Sequence, residues 1–270
     1  ARQAYGKSAR RRQKAPLLPE SVTGTLGLMP KGREALDAFA RWLFPPRCAL
    51  CGEPCAGPDL CPGCRADLPV LGTACRRCAE PLASGAVCIA CRRHAPPMDR
   101  TLAPLHYAFP ADWLLTEMKF NARLWHGPLL AGIIVDLLAD ALADVLAEPP
   151  AAAVVIPVPL HRRRLAARGY NQALEIARPL ARRLGCRLDD GLVLRARATR
   201  EQSALSARAR RRNVAGAFRL RGPAQFGHAV IVDDVVTTGA TTREIAALLR
   251  HAGCARVSVV AAARAAQRNT

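Results

Sequence analysis

One segment of this 270-residue chain, Val230–Thr242, restricts the fold strongly, because it predicts a strand, a loop and a helix in direct succession. The apolar run Ala229–Val232 indicates a buried strand. Two carboxylates follow, then a threonine-rich loop with one glycine, and then the helical pattern of Thr242–His251. Carboxylates accept hydrogen bonds from a sugar diol, and N–H groups at a helix N-terminus bind phosphate. The segment therefore predicts a site for a phosphorylated sugar at the carboxyl end of a strand in an α/β sheet.

Alternating strand and helix patterns extend this prediction across the second half of the chain. Ala152–Ile156 and Val257–Ala261 are short apolar runs typical of buried strands, and Gln172–Leu184 has helical spacing. This alternation predicts an α/β domain with a mostly parallel sheet and helices on both faces. Further helices are expected at Trp113–Ala122 and Leu129–Leu146, and further strands at Leu102–Phe109, Leu192–Leu194 and Ala217–Leu220.

Nine of the eleven cysteines lie between residues 48 and 91, in a pattern that occurs twice with a period of 27 residues. Each copy has two C-x2-C pairs separated by nine residues. Two such pairs complete a tetrahedral site of four thiolates, which leaves no open position for catalysis and indicates a structural metal. The ligands of the two predicted zinc sites are Cys48, Cys51, Cys61 and Cys64, and then Cys75, Cys78, Cys88 and Cys91.

Two alternatives to zinc remain for these cysteines. Iron also binds four thiolates, whereas disulfides are disfavoured because nothing in the sequence indicates an oxidising compartment. Residues 45–98 have few large apolar side chains, so metal binding is expected to supply much of their folding free energy. Cys55 falls outside both tetrads and is either a neighbouring ligand or a small buried residue.

The chain is strongly basic, with 40 Lys and Arg residues against 21 Asp and Glu residues and a formal net charge of +19. This charge favours polyanionic partners, namely nucleic acid, pyrophosphate or an anionic membrane surface. Residues 1–32 are basic, rich in Pro, Gly and Ser, and without periodicity, which predicts a disordered tail. We expect a short helix and a double zinc ribbon over residues 33–98, and the sheet domain over residues 99–270.

A cytoplasmic location without a membrane span is the expectation from the sequence. The basic N-terminal residues lack the apolar core and the cleavage site of a secretory signal. The longest apolar stretch, Pro128–Ala147, has three aspartates spaced four residues apart, which is typical of an amphipathic helix rather than a membrane-spanning one.

A second basic segment, Pro157–Gln172, follows the strand predicted at Ala152–Ile156. We expect a loop there, because two prolines stiffen its start. Cations and N–H groups at a second strand end would bind pyrophosphate, and a basic solvent-exposed surface is the alternative. The candidate pyrophosphate-binding residues are Pro157, Val158, Pro159, Arg162 and Arg168.

A third segment, Arg197–Phe218, is long, polar and cationic, and it lies between two predicted strands. Such a segment could close over an active site as a lid that excludes water, and a plain surface helix is the alternative. The candidate lid contacts are Gln202, Arg210 and Asn213.

Residues Ala229–Thr241 resemble the phosphoribosyl pyrophosphate (PRPP) signature of type I phosphoribosyltransferases. Five motifs lie between Arg33 and Arg264: FPPxCxxC at Phe44–Cys51, MKF at Met118–Phe120, PVPLHRRRxxxRGYNQA at Pro157–Ala173, QSALSxxxRRRNVAGAF at Gln202–Phe218 and VDDVVTTGAT at Val232–Thr241. In these motifs the chain is similar to the ComF family of competence-associated, phosphoribosyltransferase-like proteins. One departure is Ala209, where the family pattern often has an acidic residue before the lid arginine.

The resemblance implies a double zinc ribbon followed by a type I phosphoribosyltransferase domain, with a role in DNA uptake during natural transformation. It implies that Asp233 and Asp234 bind the ribose hydroxyls of PRPP, which binds together with Mg2+. The loop that follows would hold the 5′-phosphate. The residues assigned to PRPP in this segment are Val235, Val236, Thr237, Thr238, Gly239, Ala240 and Thr241.

Three hypotheses about function are compatible with these motifs. The first is a transferase that releases pyrophosphate from PRPP while a nucleophile attacks C1 of the ribose. The second is a non-catalytic accessory factor that binds single-stranded DNA with its basic loops and zinc ribbons, alongside DNA-uptake proteins. The high charge favours DNA, but the chain has only 3 Trp, 3 Tyr and 6 Phe residues for base stacking. A third hypothesis is that PRPP or a nucleotide acts as a regulatory ligand.

Overall fold

The computed structural model describes residues 43, 46–55, 60–146, 153–198 and 207–266. The chain divides into two compact units, Ala1–Leu68 and Pro69–Thr270. The tail predicted over residues 1–32 lies outside the described residues, and so does the predicted short helix except for Leu43, which is helical and exposed. The predicted division into segments at residues 32 and 98 stays a prediction.

The described part of the first unit is a cysteine module built from two turns. In the first turn, the N–H of Cys48 donates to the carbonyl of Glu53 at 2.8 Å. In the second, helix α1 (Pro62–Ala66) begins after Cys61, whose sulfur accepts a hydrogen bond from the N–H of Cys64 at 3.5 Å. The two turns together bring four cysteine sulfurs to one place.

The second unit begins with a second copy of this cysteine module. The N–H of Cys75 donates to the carbonyl of Glu80 at 2.8 Å. Helix α2 (Ile89–Arg93) follows Cys88, whose sulfur accepts from the N–H of Cys91 at 3.4 Å. The two copies therefore share their local geometry, as the sequence period of 27 residues predicts.

The remainder of the second unit is an α/β domain. In chain order its strands are β1 (Arg100–Leu102), β2 (Leu105–His106), β3 (Ala153–Pro157), β4 (Arg187–Leu188), β5 (Val193–Arg195), β6 (Phe218–Leu220), β7 (His228–Val236) and β8 (Arg256–Arg264). Six of them form a parallel sheet in the order β1–β8–β7–β3–β4, with β2 also pairing with β8. Strands β5 and β6 form a separate antiparallel hairpin. The predicted class, α/β with a mostly parallel sheet, is confirmed.

Helices cover the central strands of the sheet. They are α3 (Ala111–Phe120), α4 (His126–Val145), α5 (Arg162–Arg168), α6 (Gln172–Leu184), α7 (Ala207–Val214) and α8 (Ala240–His251). Along β7, Ala229 and Ile231 share one core cluster with Ile245 and Leu249 of α8. Side chains alternate between the two faces of a strand, so Val230 and Val232 point away from α8. Helix α6 packs on β3 and β7, and α4 packs on α6 and β8.

The structure differs from the sequence-based expectations in two places that matter for the site. Strand β7 continues to Val236 instead of ending at Val232, because β8 pairs with it through Asp233 and beyond. The basic segment expected as a loop contains helix α5, which begins after His161 and ends at Gly169 with a φ of 84°. A left-handed glycine is a common helix terminator, and this one directly follows Arg168.

No helix among the described residues combines the length and the apolar character needed to cross a membrane.

Close packing between α4 and α6 generates a prediction about two glycines of the same helix. A Cβ atom at Gly127 would lie 2.5 Å from the carbonyl oxygen of Glu175, whereas at Gly132 the nearest atom is 3.6 Å away, at the end of the Arg183 side chain. We expect Gly127→Ala to lower the free energy of unfolding by about 1–3 kcal/mol, because backbone must move. Gly132→Ala, the matched control, should leave it unchanged or raise it by up to about 1 kcal/mol through helix propensity. Urea denaturation of both variants measures this difference, and equal effects would contradict the packing argument.

Candidate functional site

The acid pair Asp233 and Asp234 lies on β7 near its carboxyl end. Asp233 is paired across to Ala261 of β8, and the strand continues for three residues beyond it. Each carboxylate accepts a hydrogen bond from the N–H of the residue that follows it, at 3.0 Å for Asp233 and 2.8 Å for Asp234. Both residues line a cavity of about 360 Å3. The pair is therefore held by regular strand backbone rather than by a flexible loop.

The electrostatics of the pair are unfavourable without a ligand. Burial raises the pKa of Asp233 well above its ordinary value, and the neighbouring charge of Asp234 raises it further. The positive charge of Arg195 opposes this rise but does not cancel it. Burial in turn lowers the pKa of Arg195, whose guanidinium lies 5.4 Å from the ring centroid of Phe218. Groups that donate hydrogen bonds or add positive charge would thus bind favourably at Asp233.

The loop after β7 leads directly into the N-terminus of α8. Gly239 has a φ of 68°, a left-handed conformation that glycine adopts without strain, and precedes the first helical residue. The hydroxyl of Thr238 accepts from the N–H of Ala240 at 3.3 Å, and the hydroxyl of Thr242 donates to the carbonyl of Gly239 at 3.1 Å. The N–H groups of this loop and the positive end of the helix dipole form a suitable site for a phosphate.

One cavity joins the acid pair, the loop and part of the basic segment. It is lined by most of the residues that the sequence predicts for PRPP, and by Val158 and Arg168 of the predicted pyrophosphate segment. Thr238, Pro157, Pro159 and Arg162 do not line it. Pro159 and Arg162 instead line a second cavity of about 740 Å3. The residues predicted for PRPP that line the first cavity are Asp233, Asp234, Val235, Val236, Thr237, Gly239, Ala240 and Thr241.

Helix α5 and the start of α6 position the basic side chains of this cavity. Asn171 anchors the start of α6 to the end of β3, because its side-chain amide donates to the carbonyl of Val158 at 3.0 Å. Arg168 donates to the side-chain oxygen of Gln172 at 2.9 Å. Arg168 lines the cavity that contains the acid pair, whereas Arg162 at the other end of α5 lines the second cavity.

Several residues that line the first cavity are not among the site residues predicted from the sequence. Gln172 is 3% exposed, and its Nε2 atom has no hydrogen-bond partner among the described residues. Arg195 comes from the separate hairpin, and Lys119 comes from α3. The RGYNQ motif contains Gln172 and could have indicated it. The MKF motif contains Lys119 but does not relate it to this cavity, and no local pattern distinguishes Arg195. Only the tertiary fold brings these two residues to the strand ends.

The candidate lid contacts are only partly described. Gln202 and the side chain of Arg210 lie outside the described residues. Asn213 is half-buried on α7, and its backbone carbonyl accepts a hydrogen bond from Arg197 at 3.2 Å. Their assignment as lid contacts stays a prediction.

Both cysteine tetrads have the geometry of a four-thiolate metal site. Within each tetrad, all four sulfurs lie within 4.8 Å of one another. The Sγ atoms of Cys51 and Cys61 are 3.8 Å apart, and those of Cys78 and Cys88 are 3.7 Å apart. Zn–S bonds of about 2.3 Å in a tetrahedron require Sγ–Sγ distances of about 3.8 Å. The residues therefore fit two structural Zn2+ ions, and Cys55 belongs to neither tetrad.

Two thiols in equivalent positions are prepared for metal binding by the backbone. Burial raises the pKa values of Cys48 and Cys75, but backbone N–H groups directed at their sulfurs outweigh it and lower each pKa to about 7. Deprotonated sulfur is the form that binds metal.

Comparison with known families agrees with this architecture. Residues 39–92 match the double zinc ribbon domain, and residues 171–269 match the phosphoribosyl transferase domain. The fold and the two kinds of site define a protein that combines a double zinc ribbon with a phosphoribosyltransferase domain.

Curated relatives identify the family. The DNA utilization protein YhgH of Escherichia coli O6:H1 is 42% identical over 164 residues, which are 61% of this chain and 71% of that protein. The protein of the same name from Salmonella typhimurium is 41% identical over the same shares of the two chains. Competence protein F of Haemophilus influenzae is 34% identical over 173 residues, or 63% of this chain and 75% of that protein. This chain belongs to the ComF family, as its motifs indicate.

The tetrads lead to a prediction about metal content. We expect two Zn2+ ions per chain in the purified protein and one in a Cys61→Ser variant, since three thiolates bind zinc far less tightly than four. Cys55→Ser, a control in the same segment, should retain both ions because Cys55 lies outside the tetrads. Metal analysis of the desalted variants measures the content, and iron or a loss of zinc from Cys55→Ser would contradict the assignment.

The raised pKa of Asp233 leads to a prediction about stability. The folded protein holds the Asp233 proton more tightly than the unfolded chain, so the free energy of unfolding falls as pH rises from the ordinary carboxyl pKa to the raised one. Asp233→Asn cannot ionise, and we expect it to unfold at a higher temperature than the wild type at neutral pH. The difference in melting temperature between Asp233→Asn and the wild type should shrink towards about pH 5. Zinc content must be measured in parallel at that pH, because metal binding weakens as thiolates are protonated. Asp140→Asn, at an exposed position of α4, is the control; an unchanged or lower melting temperature for Asp233→Asn would refute the electrostatic argument.

Proposed function

We propose that this protein binds PRPP with Mg2+ at the acid pair and the adjacent loop, as a phosphoribosyltransferase-like protein that acts in the uptake or utilization of DNA. One observation supports this above all others. The acid pair, the phosphate-type loop and Arg168 line a single cavity at the carboxyl ends of β7 and β3. Open α/β sheets bind their ligands at this edge.

Each part of PRPP has matching groups in the cavity. Asp233 and Asp234 would accept hydrogen bonds from the ribose 2′ and 3′ hydroxyls. The N–H groups between Thr237 and Thr241 would donate to the 5′-phosphate. Arg168 and Arg164, which also lines the cavity, would contact the pyrophosphate. Mg2+ prefers oxygen ligands and, when bound with PRPP, would neutralise part of the pyrophosphate charge.

If the bound PRPP reacts, the residues would stabilise a substitution at C1 of the ribose. The bond between C1 and the pyrophosphate oxygen breaks, and its electron pair leaves with pyrophosphate. A nucleophilic atom of the acceptor forms the new bond to C1. The carboxylates would stabilise the positive charge that develops on the sugar ring, and the arginines would stabilise the leaving group.

The relatives support the cellular part of the proposal. Their names are DNA utilization protein and competence protein F. The two four-thiolate sites fit a reducing compartment, so we propose that the protein works in the cytoplasm and contacts DNA-uptake proteins there.

A second candidate is an accessory factor that binds single-stranded DNA without catalysis. It is favoured by aromatic side chains at the surface, since Tyr107, Phe109, Phe120 and Trp125 are each more than 40% exposed. Tyr107 also lines the cavity that contains the acid pair. Bases can stack on exposed rings beside basic residues, and the net charge of +19 would attract the DNA backbone.

Calorimetric titration with Mg2+ and PRPP tests the proposed function. We expect the zinc-loaded wild type to bind, and Asp233→Asn/Asp234→Asn to lose the binding signal, because the amides place N–H donors towards the ribose hydroxyls. The control is Asp136→Asn/Asp140→Asn, which changes the net charge by the same amount at exposed positions of α4.

Each outcome of this titration decides between the candidates. Binding that is lost in the site variant and kept in the control supports the PRPP site. Failure of a folded, zinc-loaded wild type to bind PRPP would refute it and favour the DNA-binding factor.

A further inference from the structure

A buried arginine connects the end of the sheet to the start of the phosphate-type loop. Arg264 is the last residue of β8 and only 1% exposed. Its guanidinium donates to the carbonyl oxygen of Val236 at 3.0 Å, to that of Ala265 at 2.7 Å, and to that of Thr237. These carbonyls belong to the end of β7, to the residue after β8 and to the first residue of the loop. One planar side chain thus contacts both the end of the sheet and the first residue of the loop.

The charge of Arg264 is neutralised by the second cysteine module. Its guanidinium forms an ion pair with the carboxylate of Glu80. A buried arginine keeps its charge, so removing such a partner leaves a cation without compensation. Glu80 is therefore the group that makes the position of Arg264 favourable.

The metal-binding turn determines where Glu80 lies. The backbone carbonyl of Glu80 accepts from the N–H of the ligand Cys75 at 2.8 Å, and its N–H is directed at the sulfur of the ligand Cys78. The same module is bound to the sheet through Thr101, whose N–H and hydroxyl both donate to backbone carbonyls of Arg76 and Arg77 at 2.8 Å. A change in the turn would hence be transmitted to the Glu80 carboxylate.

A second contact reaches the other side of the same loop. Arg243, in the first turn of α8, places its guanidinium 4.0 Å from the sulfur of the ligand Cys91. The backbone N–H of Arg243 donates to the carbonyl of Gly239 at 2.9 Å. Contacts from the second tetrad therefore end on both sides of the segment Thr237–Gly239.

The first cysteine module shows that, among the described residues, the same turn forms without an ion pair between its glutamate and a buried arginine. Glu53 occupies the position equivalent to Glu80, 27 residues earlier, and its carbonyl accepts from the N–H of Cys48 at 2.8 Å. The side chain of Glu53 is exposed, whereas that of Glu80 is 28% exposed and paired with Arg264. The chain thereby contains a matched control for the effect of Glu80.

We propose that Arg264 is a positioning residue for the phosphate-type loop, and that Glu80 couples metal loading of the second tetrad to the conformation of this loop. The ligand side of this inference, phosphate binding by PRPP, rests on the proposed function. Loss of the metal frees the turn that holds Glu80, and Arg264 then no longer restrains Thr237. By thermodynamic reciprocity, PRPP also stabilises metal binding at the second tetrad.

The experiment compares Glu80→Gln with Glu53→Gln in the zinc-loaded 270-residue chain. Amide hydrogen exchange of the peptide covering residues 235–243 reports on the loop, and calorimetry reports on PRPP. We expect faster exchange in this peptide and about tenfold weaker PRPP binding for Glu80→Gln, with both zinc ions retained. Exchange in β3 should stay at the wild-type rate, since a general loss of stability would raise it as well. Glu53→Gln should match the wild type in every measurement.

Arg264→Lys provides a second variant if Glu80→Gln loses its zinc. Lysine keeps the charge but cannot reach the carbonyls and the carboxylate together, so exchange in the loop should rise with both ions in place. The proposal would be overturned if the loop amides exchanged at the wild-type rate in both Glu80→Gln and Arg264→Lys.

A chelator tests the reciprocal direction. In the wild type and in Glu53→Gln, PRPP should slow the release of one of the two zinc ions relative to the same protein without PRPP. In Glu80→Gln, PRPP should leave the rate of zinc release unchanged. Binding of PRPP without any effect on zinc release would overturn the coupling while leaving the proposed function intact. Absence of PRPP binding would refute the proposed function, and the exchange measurements would still decide the role of Arg264.

Discussion

The structure depends on the burial of β7 between β3 and β8. The first five residues of this strand are buried, and they form parallel ladders on both sides. Strands buried on both faces are held by apolar packing and by hydrogen bonds to both neighbours, so they tolerate little movement. The acid pair follows this rigid segment without an intervening turn. Its position relative to β3, and to the basic groups beyond β3, is therefore determined by the sheet.

The small second cysteine module obtains its order differently, through metal ligands and polar contacts rather than through a core of its own. Its apolar contribution is small, since one core cluster of the unit contains only Leu71, Ala79 and Ala103 as buried members. Four-thiolate sites supply folding free energy where apolar area is short. The module is joined to the sheet mainly through backbone carbonyls and Glu80, so its contacts specify direction as well as proximity.

The sequence predicted those features that depend on local pattern. Gln172–Leu184 was predicted with the observed bounds, because its apolar spacing is regular and its ends have an asparagine and a glycine as caps. Strand β7 was predicted too short, because Asp233 interrupts the apolar run, although pairing with β8 continues across it. Helix α5 was missed because prolines and consecutive arginines obscure its short pattern. Contacts such as Arg195 beside Asp233, or Arg264 with Glu80, join residues far apart in sequence and have no local signal.

The acid pair also explains why this site is better suited to a ligand than to structural support. Two adjacent carboxylates repel each other, and burial adds to the cost of ionising Asp233. A structural role would favour a partner that neutralises the pair, but Arg195 offsets the rise in pKa only in part. Hydroxyl donors and a divalent cation would supply the missing stabilisation when the ligand binds. Under the proposed function, the residual electrostatic cost in the free protein would be a source of selectivity, because anions that lack these groups would not relieve it.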